Sequence, residues 1–268
     1  MTDGDQVLPV LEVSDLRKTF GVKGGGEKLA VDGVSFSVMP GECVGLVGES
    51  GSGKSTVANM VLRLLDASGG TIVFMGEDIT RAKGNALRKV HRNLQAVFQN
   101  PVASFDPRRA LRYSIMEGMR NDGVGKGEAS RRADELAKRC GLPLELLDRH
   151  PREASGGQCQ RCAIARAIAE SPSLLVCDEA TSALDVTVQR QIVELIDLIR
   201  RESGMAVLFI SHDIALVSEI CDRMVVMKGG RVVEQGPTRR VIDDPATDYV
   251  WELLSASDLR VAKAEPAS

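Results

Sequence analysis

Aromatic residues and long hydrophobic runs are scarce in this chain of 268 residues. The aromatic side chains are one Trp, two Tyr and six Phe, so a core must be built mainly from Val, Leu, Ile, Ala and Met. No stretch approaches the roughly 18–20 consecutive apolar residues that a membrane-spanning helix needs. The acidic N-terminus also lacks the basic and apolar regions of a secretory signal. We therefore expect a protein of the cytosol.

An excess of positive charge is also missing. Lys and Arg number 34 and Asp and Glu number 37, which gives a net charge of −3. Since such a field does not attract nucleic acid, we expect no nucleic-acid partner. The six cysteines are expected to be thiols. Cys159 and Cys162 form a CxxC pair, but a second pair at metal-site spacing is lacking, so two packed helix residues are the preferred interpretation over a metal site.

Strand and helix patterns alternate along most of the chain, which predicts an α/β fold with a mainly parallel sheet. Residues 107–150 are charged and helical and interrupt this alternation as an insertion. Gly229-Gly230 predicts a hairpin turn. The expected strands are residues 10–20, 30–38, 42–48, 71–79, the segments SLLVCDE and AVLFISHD, and the two arms of the hairpin in RMVVMKGGRVVEQG.

Residues 48–55, here called the P-loop, fit the pattern GxxxxGK[ST] and stand between a strand and a helix. Glycines let successive backbone N–H groups turn towards a phosphate, and the helix that follows directs its positive end at the same anion. Lys54 adds a mobile positive charge, and the Ser55 hydroxyl is able to ligate magnesium. The alternative is a flexible glycine loop, but such a loop needs no strand before it and no helix after it.

An apolar strand expected at residues 174–179 ends in the carboxylates Asp178 and Glu179. Beside a P-loop, the first carboxylate is placed to hold Mg²⁺ and the second to take a proton from an attacking water. Without the P-loop, the same pattern could be a strand that ends at a solvated turn. Together the two motifs predict binding and hydrolysis of ATP with Mg²⁺.

Six motifs, in their order along the chain, resemble those of the ABC-type ATPases. They are the P-loop, Gln99 after a strand, the signature Ser155-Gly156-Gly157-Gln158, the acidic strand end, Ser182-Ala183-Leu184-Asp185, and His212 after a strand. The resemblance implies a RecA-like P-loop NTPase core, an N-terminal antiparallel β subdomain and an inserted helical subdomain. It implies core segments at 1–98 and 162–258, the helical signature subdomain at 99–161 and a disordered tail at 259–268.

The resemblance also implies a role for each matching residue. Catalysis is expected from Glu179, His212 and Gln99, and magnesium binding from Ser55, Gln99 and Asp178. Contacts to ATP held by a second ATPase subunit are expected from Ser155, Gly156, Gly157, Gln158 and Asp185. ATP binding within the chain is expected from Phe20, which would stack on adenine, and from Gly48, Glu49, Ser50, Gly51, Ser52, Gly53, Lys54, Ser55 and Thr56.

Within this family, the segment Phe98–Arg108 is similar to that of the ATP-binding subunits of dipeptide and oligopeptide importers. This implies a second ATPase subunit (a copy or a related chain), transmembrane permease subunits and an extracytoplasmic substrate-binding protein, with the chain peripheral at the cytoplasmic face of the membrane. Importers of nickel, opines or glutathione, the ATPase of a complex such as carbon–phosphorus lyase, and a regulatory subunit without turnover stay open. Ala154 and Ala180 depart from the family pattern and are expected to alter packing or loop stiffness only.

Overall fold

The computed structural model describes residues 7–21, 25–182 and 184–257 of the chain. They belong to two compact units: unit 1 is built from residues 1–90 and 206–268, and unit 2 from residues 91–205. Residues 22–24, Ala183 and the tail predicted to be disordered at 259–268 lie outside the described residues. The domain boundaries expected from the sequence stay a prediction.

Ten strands occur in the described residues. They are β1 (Leu11–Gly21), β2 (Glu27–Val38), β3 (Cys43–Val47), β4 (Gly69–Phe74), β5 (Glu77–Asp78), β6 (Leu94–Phe98), β7 (Leu174–Asp178), β8 (Ala206–Ser211), β9 (Arg223–Lys228) and β10 (Arg231–Pro237).

The same part of the chain contains nine α-helices and three short 3₁₀ segments. The helices are α1 (Lys54–Val61), α2 (Gly84–Asn93), α3 (Leu111–Asn121), α4 (Lys126–Arg139), α5 (Gly156–Ile168), α6 (Val186–Ser203), α7 (Ile214–Ile220), α8 (Thr238–Asp243) and α9 (Asp248–Ala256). The 3₁₀ segments are Val102–Ser104, Leu144–Asp148 and Pro151–Glu153.

Unit 1 contains an antiparallel sheet with the strand order β2-β1-β4-β5. The single strand predicted at 71–79 is wrong, because the chain turns at Met75 and Gly76 and returns as β5. Both residues have positive φ, 51° and 80°. The alternating apolar pattern of this segment does not reveal the turn, which a non-glycine residue helps to form.

A second group of strands in unit 1 carries the P-loop. β3 pairs in parallel with both β8 and β9, and β9 continues into β10 as an antiparallel hairpin. This confirms the turn predicted at Gly229-Gly230. All five residues of β3 are buried, as expected for a central strand covered on both faces. At the start of β3 the Cys43 and Cys221 sulfur atoms lie 3.3 Å apart.

Unit 2 combines the parallel pair β6 and β7 with the helices α3 to α6. A stripe of alanines at a spacing of four residues (Ala129, Ala133 and Ala137) buries one face of α4. Cys159 and Cys162 are buried on α5, and burial raises the pKa of the Cys162 thiol to about 12. Among the described residues no group of three or more His, Cys, Asp or Glu side chains is placed to hold a metal ion.

The predicted α/β class with parallel strands and an N-terminal antiparallel sheet is confirmed. The helical insertion is present as α3 and α4. Of the helices that the structure describes, none has both the length and the apolar character required to cross a membrane.

Candidate functional site

The shape of the P-loop depends on glycines that have positive φ. φ is 148° at Gly48, 81° at Gly51 and 105° at Gly53. A Cβ atom at Gly48 would lie 2.1 Å from the Met227 carbonyl oxygen, and one at Gly53 would lie 2.7 Å from the Ala30 carbonyl oxygen. Both obstacles are backbone atoms, so these positions require glycine for packing as well as for φ.

Hydrogen bonds hold the P-loop in this shape. Inside the loop, the Ser52 N–H donates to the Glu49 carbonyl at 3.2 Å. From the β9–β10 turn, the Gly230 N–H donates to the Ser52 carbonyl at 3.0 Å. The Glu49 N–H donates to the hydroxyl of Tyr249, on α9, at 3.1 Å. The loop is therefore fixed both by its own backbone and by neighbouring elements of unit 1.

Lys54 begins α1 directly after the loop and is only 4 % exposed. Its ammonium group donates to the carbonyl oxygens of Gly48 at 2.7 Å and Glu49 at 2.8 Å. Gly53, at the N-cap, has no side chain with which to cap the helix. A mobile cation and the N-terminus of an eight-residue helix thus lie on one loop, the combination that binds a phosphate group.

His212 lies at the same edge of the sheet as the P-loop. In the parallel pair of β3 and β8, Val47 is opposite Ser211, so Gly48 and His212 each follow directly after a paired residue. Asp213 caps α7 by accepting from the N–H groups of Ala215 and Leu216, at 2.9 and 3.2 Å. The cap fixes the backbone directly after His212, whose side chain is exposed.

Phe20, near the end of β1, is also in unit 1. Its ring is 39 % exposed, and the Lys18 ammonium lies 5.1 Å from the ring centroid. At this exposure, Phe20 is not an ordinary core residue. An exposed ring with a cation beside it is suited to stacking on a nucleotide base.

In unit 2, the structure places Gln99, Asp178 and Glu179 at one end of a strand pair. Phe98 of β6 is opposite Asp178 of β7 in parallel register, so Gln99 and Glu179 each follow a paired residue. Glu179 has a φ of 48°, which is left-handed and strained for a residue other than glycine. Its carbonyl accepts from the Ser182 hydroxyl at 3.1 Å.

The predicted signature forms the beginning of α5 as a capping box. The Ser155 hydroxyl accepts from the Gln158 N–H at 3.2 Å, and the Gln158 side chain accepts from the Ser155 N–H at 2.9 Å. Ser155 and Gly156 are exposed. Since the box fixes the Ser155 side chain at an exposed helix N-terminus, this residue can present its hydroxyl to an anion.

The loop around Asp185 packs against the signature within unit 2. Asp185 caps α6 by accepting from the Val188 N–H at 3.0 Å. A Cβ atom at Gly157 would lie 2.8 Å from Val188 Cγ1, and one at Gly156 would lie 3.4 Å from a Leu184 methyl group. The close approach of Val188 explains the glycine at position 157, whereas the separation at Gly156 is an ordinary van der Waals contact.

The two departures from the family pattern differ in burial. Ala154 is half-buried just before the signature, whereas Ala180, directly after Glu179, is 1 % exposed. Each adds a methyl group and no polar atom. For magnesium, Ser55, Gln99 and Asp178 offer hydroxyl, amide and carboxylate oxygens, the donor type that this ion prefers.

Sequence motifs located these residues but did not reveal Tyr249 at the P-loop. The structure groups the P-loop, Phe20 and His212 in unit 1, and Gln99, the acidic strand end, the signature and Asp185 in unit 2. Tyr249 and Glu49 are 200 residues apart. A local pattern therefore carries no signal of their contact, and the roles of all these side chains stay predictions.

Comparison with known proteins identifies relatives along the whole chain. The chain is 45 % identical over 255 residues to the glutathione import ATP-binding protein GsiA of Salmonella typhimurium strain LT2, covering 92 % of this chain and 41 % of that protein. It is 43 % identical over 274 residues to the protein of the same name from Escherichia coli strain K12, covering 100 % of this chain and 43 % of that protein. The chain thus spans about two fifths of the length of these curated relatives.

Solved structures with the same fold include CbiO1 from Clostridium perfringens, part of the ABC transporter complex CbiONQ. It has a TM-score of 0.78 and 28 % identity, covering 95 % of this chain and 96 % of that one. A dimeric ATP-binding cassette in a post-hydrolysis state with ADP and Pi also has a TM-score of 0.78, with 27 % identity, covering 85 % of this chain and 99 % of that one. The family model described as ABC transporter matches residues 31–182, more than half of the sequence. The chain belongs to the ABC transporter family, in its ATP-binding part.

Proposed function

We propose that this chain binds ATP with Mg²⁺ and hydrolyses it to drive an importer. The observation that carries this proposal is the P-loop of unit 1, in which left-handed glycines lead into α1 and the buried Lys54 begins that helix. Membership of the ABC transporter family supports the same function.

In the proposed complex, the backbone N–H groups from Gly51 to Thr56 and the Lys54 ammonium hold the β- and γ-phosphates. Lys54 would exchange its contacts with the Gly48 and Glu49 carbonyls for the more strongly charged phosphate oxygens. Phe20 stacks on the adenine. Ser55, Gln99 and Asp178 would hold Mg²⁺, which when bound neutralises charge on the phosphates.

The reaction is attack of water on the γ-phosphorus, with cleavage of its bond to the β–γ bridging oxygen and release of ADP and Pi. Glu179 accepts the proton of the water, and Gln99 helps to orient that water. His212 donates a hydrogen bond to the γ-phosphate. Most of the rate enhancement in phosphoryl transfer comes from such positioning and charge neutralisation, and general-base assistance contributes about 10²–10⁴.

The signature and Asp185 are proposed to act on ATP bound to a second ATPase subunit. Ser155 and Gly157 would direct the N-terminus of α5 at the γ-phosphate of that partner's ATP. Two ATP molecules then join two subunits, and hydrolysis removes the shared phosphate, so the pair opens. Two observations support this role of the signature: Ser155 is exposed, and the capping box fixes its side chain.

We propose small peptides as the class of substrate, with glutathione, itself a tripeptide, as the leading candidate. The similarity to glutathione import ATP-binding proteins supports it. Uptake would require permease subunits in the membrane, to which this chain binds at the cytoplasmic face, and a substrate-binding protein outside.

Two point variants test the ATPase proposal on the full chain. Lys54→Ala should lose binding of ATP in calorimetry, while Lys89→Ala, an exposed lysine of α2, should bind like the wild type. Glu179→Gln should retain binding but lose phosphate release by about 10²–10⁴, with Glu77→Gln on β5 as its control. Turnover by Glu179→Gln at the wild-type rate would show that Glu179 is not the base.

The substrate proposal is tested by uptake of labelled peptides into cells. Cells with the intact transport system should accumulate glutathione or a dipeptide, and cells that carry the Glu179→Gln variant should not. Accumulation of nickel or an opine in place of both peptides would refute the peptide class and leave the ATPase proposal intact.

A further inference from the structure

Helix α9 contacts the P-loop through the hydroxyl of Tyr249. Tyr249 is 5 % exposed, and its hydroxyl accepts the hydrogen bond from the Glu49 N–H at 3.1 Å. Burial raises the pKa of the Tyr249 hydroxyl, which therefore stays protonated and neutral at physiological pH.

The peptide groups of Glu49 are engaged in two directions. Its carbonyl oxygen accepts from the Lys54 ammonium at 2.8 Å and from the Ser52 N–H at 3.2 Å, both within the P-loop. Its N–H, by contrast, donates out of the loop to α9. The Glu49 N–H shares its planar peptide unit with the Gly48 carbonyl, which accepts from the Lys54 ammonium at 2.7 Å. The Gly48–Glu49 peptide unit is thus held on both sides and cannot rotate without breaking one of these bonds.

Tyr249 is itself held from the ring side and through the start of its helix. The Lys228 ammonium, at the end of β9, lies 4.2 Å from the ring centroid. The carboxylate of Glu234, on β10, is 2 % exposed and accepts from the N–H groups of Ala246 and Thr247, at 2.9 and 3.2 Å. The Thr247 hydroxyl in turn caps α9 by accepting from the N–H of Val250 at 3.4 Å.

We propose that Tyr249 is a positioning residue for the P-loop. It holds the Gly48–Glu49 peptide unit, so that the loop has its nucleotide-binding shape before a nucleotide arrives. This inference rests on the proposed binding of ATP. Tyr249 does not act on the reacting atoms. Without the Tyr249 hydroxyl, the Gly48–Glu49 peptide unit gains conformational freedom. Nucleotide binding must then remove that freedom, so the affinity for ATP falls.

The expected change in affinity follows from the net value of one hydrogen bond. Removal of the Tyr249 hydroxyl, which accepts from the partly buried Glu49 N–H, should weaken binding of ATP about three- to tenfold. The turnover number at saturating ATP should stay at the wild-type value, because bound nucleotide restores the loop shape. KM therefore rises while kcat does not.

Tyr249→Phe is the test, because it removes the hydroxyl and keeps the ring on Lys228. Tyr113→Phe, at the chain's other tyrosine on α3 of unit 2, is the matched control. We expect a higher Kd for Mg²⁺-ATP in Tyr249→Phe alone, with faster hydrogen exchange at the Glu49 N–H. A protein in which the ring merely fills space would show neither change.

The outcomes separate this inference from the ATPase proposal. If the wild-type chain binds no nucleotide, the ATPase proposal fails, and exchange at the Glu49 N–H still reports on the contact itself. If the wild type binds ATP and Tyr249→Phe matches it in Kd and in Glu49 exchange, the positioning role is refuted.

Thr247→Ala provides a second route should Tyr249→Phe not fold. It keeps the tyrosine and removes the side-chain cap of α9. The same selective rise in Glu49 exchange and in Kd is expected, to a smaller extent. Wild-type exchange at Glu49 in this variant would count against the proposed role.

Discussion

Replacing Glu179 by glycine should leave unit 2 more stable than replacing it by alanine, the reverse of what these residues do in most positions. Glu179 has a φ of 48°, in the left-handed region where a Cβ atom costs about 1–2 kcal/mol. Alanine keeps that cost and glycine removes it. Both variants delete the same carboxylate, so the contacts of the side chain cancel from the comparison.

The magnitude follows from two opposing contributions. Glycine removes the left-handed strain of about 1–2 kcal/mol, but its freer unfolded chain costs about 0.4–1 kcal/mol relative to alanine. At the midpoints of these two ranges, Glu179→Gly should exceed Glu179→Ala by about 0.8 kcal/mol in free energy of unfolding. In thermal unfolding followed by circular dichroism, this is a difference in Tm of about 1–4 °C.

Ser171 provides the matched control in the same unit. It is exposed, follows α5 and has a φ of 52°, but no catalytic role is proposed for it. Ser171→Gly and Ser171→Ala should differ by the same amount as the Glu179 pair. If the Ser171 pair behaves in this way and Glu179→Gly is no more stable than Glu179→Ala, the strain argument for Glu179 is wrong.

Three further predictions concern packing and thiol chemistry. Gly157→Ala should lower the free energy of unfolding by about 1–3 kcal/mol, because the added Cβ would lie 2.8 Å from Val188 Cγ1. In a denaturant titration, the double variant Gly157→Ala, Val188→Ala should recover most of this loss. A loss that is not recovered would contradict the contact. Gly48→Ala should abolish ATP binding in calorimetry and cost about 2 kcal/mol or more, since the obstacle is the Met227 carbonyl at 2.1 Å and not a side chain. Because burial raises the pKa of Cys162 to about 12, its thiol should resist iodoacetamide at pH 8 until the chain is unfolded, as mass spectrometry would detect; rapid alkylation of the native protein would refute this.

The regular elements of this chain were predictable where one local pattern decides the structure. The apolar run at 42–48 is β3, and Gly229-Gly230 is the turn of a hairpin, since glycine at two consecutive positions allows the required φ. Helix α2 was not predicted, because Val90 is its only buried residue and most of its other positions are polar or charged, which leaves a weak apolar pattern. The turn at Met75 and Gly76 was missed because the first of its two left-handed residues is a methionine, which rarely adopts this conformation.

The site was predictable as a set of residue positions and less so as a set of contacts. The P-loop and the signature are contiguous, so the requirement for glycine or serine at each position is visible in the sequence. Glycine is required at position 48 by the Met227 carbonyl and at position 157 by the Val188 side chain. Both obstacles are distant in sequence from the glycines they constrain, and neither residue type by itself indicates such a contact. Such contacts depend on how the chain returns to the loop, which no local pattern encodes.

The register of β3 and β8 limits which kinds of mutation this part of the chain can accept. Val47 and Ser211 are opposite each other, one residue before Gly48 and His212. Exchange of one apolar side chain for another leaves that alignment unchanged, whereas insertion or deletion of a single residue in either strand shifts it by about 3.3 Å and reverses the face of every residue beyond. Across evolution, the lengths of these two strands should therefore vary less than their composition.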